Sequence, residues 1–237
     1  MDYDRVASTG CNVIFNGNPA FRGDTGLSFI VQPHVGWRPG VIGFTLGDDI
    51  PISKLEQANA EARHLAALYP GMVFPALVSA VYTRLLDYLE APTYEVYLHT
   101  FMELAPMLTP MLCHYPVWRD SYDPEPSALQ QTLLNWRHDY WYNLRLVGSI
   151  AVQHQRQWWM WVQVTAHRLY EWEFLPIGFD GIMAQILAGY AAGARGFGYY
   201  GWSDIEEFPG IKRNPEHVSA INRALSELLE SQEGPEL

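Results

Sequence analysis

Short apolar runs with strand composition alternate with longer amphipathic runs along the chain, the order that a parallel sheet covered by helices requires. Strands are predicted over residues 11–16, 27–34, 41–48, 72–78, 108–115, 158–165 and 195–202. Between them, helical spacing recurs. Ser53 and Glu56 have the separation of a capping box, and Leu55, Ala58, Ala62, Leu65 and Tyr69 follow as one stripe that Pro70 and Gly71 end. Residues 2–8 form a short helix on this reading, and 81–104 contain another. Residues 127–152 carry Leu129, Leu133, Trp136, Tyr140, Leu144, Val147 and Ala151 along one face. A helix over 179–192 is stopped by Gly193, and Asn214 with Pro215 opens a final helix whose buried stripe is Val218, Ile221, Leu225 and Leu228.

The fold class this implies is α/β, an incomplete or distorted (β/α)8 TIM barrel with about seven recognisable parallel strands, since a complete barrel needs eight. No internal repeat and no low-complexity linker interrupts the 237 residues, so a single domain is expected over 1–237, with a flexible tail from about 231. Strand alternation assigns faces. Ile42, Phe44 and Leu46 suit the layer under the helices, which turns Val41, Gly43, Thr45, Gly47 and Asp49 towards the interior. Met160, Val162 and Val164 go under the helices by the same test. Trp159, Trp161, Gln163 and Thr165 face inward, as do Ser28, Gln32, His34, Asn12 and Asn16.

Composition narrows the partners. A net charge of -11 without a local Lys/Arg cluster repels phosphate backbones, so nucleic acid is not expected. No leader and no apolar stretch of bilayer length is visible, which predicts a soluble protein without membrane contact. Cys11 and Cys113 lie far apart in strand-like runs and read as buried free thiols. Neither His-Glu-x-x-His nor paired-Cys spacing occurs, so no metal and no cofactor is expected. The glycines at 196, 198 and 201 match a dinucleotide fingerprint formally, but they follow a helix and lie within a strand, where phosphate cradling needs the reverse order.

Two segments resemble a known family. The run Gly43, Phe44, Thr45, Leu46, Gly47, Asp48, Asp49, Ile50, Pro51 is similar to the Gly-aromatic and Gly-Asp-Glu-Pro segment after the fourth strand of (β/α)8 glycoside hydrolases and their agarase- or galactosidase-like relatives. Residues 187–202, ending in Tyr199, Tyr200, Gly201 and Trp202, resemble their passage from the seventh helix to the eighth strand, and Tyr115-Pro116 matches a position after the sixth strand. The likeness spans about residues 10–230. Three departures stand beside it: Asp49 replaces the family's Glu and is separated from the Pro by Ile50, Cys113 replaces an Asp, and the run beginning at Gly10 matches the family's second strand, leaving the first missing. A barrel short of one strand leaves two sheet edges to be covered by a terminal segment, another subunit or a host assembly.

The resemblance implies carbohydrate as ligand. Glycoside hydrolysis in its common form uses two carboxyl groups, one of them protonating the leaving oxygen. Asp49 is the candidate general acid, with Asp48 beside it, although both residues also suit simple capping of the next loop and helix. Gln163 stands where a second carboxylate would help, and Glu171, Glu173 and Asp204 are loop charges. Asn16, His34, His114, Tyr115, Gln163, Tyr200 and Trp202 are the candidate substrate-binding residues. Trp37, Trp118, Trp161 and Trp172 are further aromatics near strand ends, and His167 a further histidine. The alternative is a degenerate, non-catalytic barrel that is a structural or glycan-binding component of a larger assembly, for example a virion or a cell surface. A homo-oligomer or a subunit role is expected on either reading.

Overall fold

The computed structural model describes residues 3–15, 26–79, 83–116, 118–120, 140–164, 167–169, 172–174, 177–199, 211 and 215–232. In chain order the strands are β1 (Val13–Phe15), β2 (Ser28–Val31), β3 (Val41–Phe44), β4 (Pro75–Ser79), β5 (Thr109–Cys113), β6 (Trp118–Asp120), β7 (Trp159–Val162), β8 (His167–Leu169), β9 (Trp172–Phe174) and β10 (Gly196–Tyr199). The helices are α1 (Tyr3–Ala7), α2 (Ile52–Leu68), α3 (Thr83–Leu89), α4 (Tyr94–Leu104), α5 (Tyr140–Gln153), α6 (Phe179–Ala191) and α7 (Pro215–Gln232). Among the described residues no helix is long and apolar enough to cross a membrane.

Each of the seven predicted strands is present and shorter than predicted, the fourth running one residue past its predicted end, and all seven are parallel. They form a three-stranded sheet β1-β2-β3 and a four-stranded sheet β4-β5-β7-β10. Two bridges join them, Gly43 to Val73 and Asp48 to Leu77. Phe44 N donates to Val73 O at 3.0 Å and Val73 N to Ile42 O at 2.9 Å; further along, Asp49 N donates to Leu77 O at 3.1 Å and Leu77 N to Gly47 O at 3.3 Å. Spatial order therefore follows chain order from β1 to β10, as in a barrel and unlike a doubly wound sheet with its reversal point. The result is an incomplete, distorted barrel.

Register across the four-stranded sheet confirms the alternation. Val78, Leu112, Met160 and Phe197 share one row, and an added Cβ at Gly189 of α6 would lie 2.1 Å from Met160 Sδ and 3.2 Å from Phe197, so this face carries the helices. Ser79, Cys113, Trp161 and Gly198 form a row on the other face. Trp161 meets Phe15 of β1 with ring centroids 5.0 Å apart, a contact between strands near opposite ends of the sheet that only inward curling allows. The glycines of the false dinucleotide pattern have a packing role. A Cβ at Gly196 would lie 2.6 Å from the Trp159 ring, and one at Gly198 2.6 Å from the Trp161 ring.

The two edge strands of the incomplete barrel, β1 and β10, are tied by α7. Asn222 of α7 accepts from Tyr199 Oη at 2.8 Å and donates through Nδ2 to Thr9 O at 2.9 Å, so one amide joins the end of β10 to the segment entering β1. Val218 and Ile221 are buried beneath it, as the predicted stripe requires. Both cysteines are free.

Other expectations are corrected. Ser53 and Glu56 form no capping box, because α2 starts two residues earlier than that box requires, with Pro51 as its N-cap. The free amide at Ser53 is met instead by Glu90, which accepts from Ser53 N at 2.8 Å and from Ser53 Oγ at 2.9 Å. The strand expected over 27–34 ends at Val31 and turns into a 3-10 helix, Pro33–Val35, since Pro33 has no amide for the ladder. A small antiparallel sheet, β6-β9-β8, is additional to the predicted elements. Of the long helix expected over 127–152, residues 127–139 lie outside the described residues, while Gly193 ends α6 as expected, with φ of 97°.

The joint between the two sheets yields a test. A Cβ on Gly43 would sit 2.3 Å from Val73 O, a backbone atom that cannot turn aside. Gly43→Ala is expected to cost about 3 kcal/mol, the upper end of ordinary overpacking. Urea unfolding followed by circular dichroism measures this, and an unchanged midpoint would contradict the joint.

Candidate functional site

After β3 the backbone runs irregularly through Thr45 to Gly47, where φ reaches 149°, and then places Asp48 and Asp49 beside the carboxyl end of β4. Asp49 has a φ of 50°, in the left-handed region that Asp and Asn tolerate better than most residues. Its carboxylate grips the last residue of β4 with both oxygens: Oδ1 accepts from Ser79 N at 2.7 Å and Oδ2 from Ser79 Oγ at 2.8 Å. Ser79 belongs to the inward row, so the Asp49 carboxylate lies on the inner side at the carboxyl ends of the strands.

Burial pushes the Asp49 carboxyl above its ordinary value; the Ser79 bonds oppose this, and the neighbouring Asp48 charge adds to it. Asp48 is exposed as a residue, yet partial desolvation of its carboxyl raises it as well. Buried Tyr97 lies close below. Its hydroxyl donates to Ile50 O at 3.0 Å, and desolvation, with the Asp49 charge second, suppresses its ionisation by raising its pKa well above the usual tyrosine value. Burial lifts the Cys113 thiol to about 12, against a hydrogen bond from Tyr115 that lowers it. Cys113 is therefore a neutral wall of the site, unsuited to nucleophilic work at neutral pH.

The other expected site residues divide. Tyr115 is buried and bonded to Cys113, at the margin of the row. His114 points to the other side of β5, where it is buried with its ring edge against Tyr140 of α5 at 5.0 Å, so it packs beneath a helix instead of lining the mouth. Gln163 is buried too, and its main chain is clamped from α6: Gln163 N donates to Gln185 Oε1 and Gln185 Nε2 to Gln163 O, each at 3.0 Å. His34 is exposed on the turn after β2. Asn16, Tyr200 and Trp202 lie outside the described residues, as do Glu171 and Asp204. Trp37 is half exposed and stacked on Tyr69 at 6.2 Å. Tyr69 ends α2 just before the chain enters β4, so this pair sits at the amino end of the sheet, away from the carboxyls. Trp118 and Trp172 fall in the antiparallel sheet, with His167 and Glu173.

No family model matches the chain, and no curated protein matches it. Among solved structures it is similar to a crystal structure from Bacteroides thetaiotaomicron VPI-5482 described as "a putative alpha-L-fucosidase", with a TM-score of 0.42 and 10% sequence identity over 94% of this chain and 84% of that one. A likeness of that degree carries no weight for the site, whose reading rests on its own geometry.

Sequence reasoning missed Ser79 and Tyr97. Ser79 fell one residue beyond the predicted strand, and its signal is a small hydroxyl residue at a strand end next to an acidic pair. Among the described residues the combination is a desolvated carboxyl pair, a hydroxyl that braces one member, and Trp161 in the same inward row.

The brace makes a prediction with a definite pH sign. A carboxyl raised in the folded state binds its proton more tightly there than in the unfolded chain, so stability declines as pH rises from about 3.8 through the folded value. Asp49→Asn keeps both contacts to Ser79 and suits the left-handed backbone while removing the charge. Thermal melts should show this variant as stable as wild type or more so at pH 7, with the difference vanishing near pH 3. Asp49→Ala leaves the Ser79 amide without its acceptor and should lose about 1–3 kcal/mol. Equal destabilisation by Asn and Ala at pH 7 would refute the brace.

Proposed function

We propose that the chain is a carbohydrate-binding barrel that takes an oligo- or polysaccharide at the carboxyl ends of its parallel strands. The observation that carries this reading is the inward row: Trp161 of β7, half buried beside Phe15, offers an apolar ring face, and Ser79 of β4 in the same row holds the Asp49 carboxylate, with Asp48 beside it. Sugars present flat C–H faces and rings of hydroxyls, which an aromatic surface and convergent carboxylates meet. Asp48, exposed at the mouth, is the acceptor that meets ligand hydroxyls. Asp49, with both oxygens engaged by Ser79, holds Asp48 in place.

A second reading is hydrolysis with Asp49 as the general acid, favoured by burial that raises the pKa of its carboxyl and keeps a proton available to higher pH than an ordinary Asp would. On the first reading the chain works as a glycan-binding subunit of a larger assembly. On the second it turns over its ligand.

One experiment separates them. Binding to a polysaccharide panel by affinity electrophoresis and reducing-sugar release on the same panel are measured for wild type, Asp48→Asn, Asp49→Asn and Trp161→Ala. Recognition predicts retention on at least one glycan, weakened roughly tenfold by Asp48→Asn or Trp161→Ala and little by Asp49→Asn, with no sugar release, in line with about 1–2 kcal/mol for one polar or stacking contact. Sugar release abolished by Asp49→Asn would establish the second reading. Retention that neither Asp48→Asn nor Trp161→Ala weakens would remove the site from both.

A further inference from the structure

On the outer layer, away from the strand ends, two histidines from different helices meet. His99 lies on α4 and His154 follows the last residue of α5, and their Nδ1 and Nε2 atoms are 3.0 Å apart. The rings are 5.2 Å apart between centroids and inclined by 58°. Both residues are half buried, which holds the rings in place while leaving a side open to solvent.

We propose that this pair is a chelating site for a late first-row divalent cation such as Zn2+, Ni2+ or Cu2+, clasping α4 to α5. Two nitrogens that share one metal at bond lengths of about 2.0–2.1 Å stand about 2.8–3.4 Å apart for angles between 90° and tetrahedral. The observed separation is inside that range before any metal enters. In the neutral pair one N–H lies between the rings. On binding, that proton moves through solvent to the other nitrogen of its own ring, so both facing lone pairs reach the cation with no net change in protonation.

The surroundings favour a cation. Glu95 and Glu103, one turn before and after His99 on α4, are exposed on the same side of the helix. Arg156, the nearby positive charge, is directed elsewhere: its guanidinium donates to Met102 O, Ala105 O and Leu108 O at the end of α4. Among the described residues no third His, Cys, Asp or Glu completes a cage, so water fills the remaining positions. Imidazole ligands with open water positions select Zn2+, Ni2+ and Cu2+ over Mg2+, with Cu2+ the tightest.

The test uses the whole chain. With ZnCl2 or NiCl2 in excess, the melting temperature should rise by about 5 °C, as a ligand specific for the folded state requires, and MgCl2 should leave it unchanged. His99→Gln and His154→Gln should each abolish the rise. Should either variant fold poorly, Ni2+ titration of the wild type by NMR replaces it, with the imidazole signals of His99 and His154 broadened before those of the other six histidines. A rise retained in both variants, a rise equal with Mg2+, no rise at millimolar metal, or earlier broadening at another histidine would overturn the proposal.

Discussion

One close backbone approach underlies the architecture: Gly43 carries no side chain, so β3 can lie against Val73 at a distance that any Cβ would forbid. Through that contact the hydrogen-bond ladder passes from a three-stranded sheet to a four-stranded one, and seven parallel strands act as one curved surface. The contact also directs the chain beyond β3. From Gly43 the backbone crosses to Leu77 at Asp48, which brings Asp49 within reach of Ser79.

The two rows of side chains that the register creates have different work. The outer row, Val78, Leu112, Met160 and Phe197, is the floor on which the helices pack. The inner row, Ser79, Cys113, Trp161 and Gly198, is small at both ends and large in the middle, because Gly198 must leave room for the Trp161 ring. A small hydroxyl at one end lets a carboxylate dock, and the aromatic in the middle provides the surface beside it. Charge, brace and ring therefore arise from a single level of one sheet, which is the place a barrel offers for chemistry.

Much of this was legible because it is local. The period-2 runs identify all seven strands, the helical runs locate the helices but merge α3 and α4 into one stretch over 81–104, and the faces of Met160 and Trp161 follow from alternation alone. Gly193 stopped its helix as a glycine at that spacing must. Contacts between distant segments were not legible. Glu90 reaches α2 from 37 residues away and displaces a capping box that the local spacing advertised. Asn222 meets Thr9 across 213 residues and links the segment entering β1 to the end of β10. His114 is expected at the mouth from its position at a strand end, whereas Tyr140 arrives from α5 to cover it, and Gln185 of α6 clamps the main chain of Gln163. Polar residues near strand ends have two possible fates, and which helix comes to meet them decides.

The site depends above all on an Asp49 carboxyl that is desolvated on the inner side of the sheet and held by Ser79. Carbon-detected NMR titration of the Asp48 and Asp49 carboxyls, in wild type and in Ser79→Ala, measures this directly. Both carboxyls should titrate above the ordinary Asp value of 3.8, and losing the Ser79 hydroxyl should move Asp49 further upward while leaving Asp48 nearly unchanged. Titration of Asp49 at or below that value, or a curve that Ser79→Ala does not shift, would contradict a desolvated, braced carboxyl.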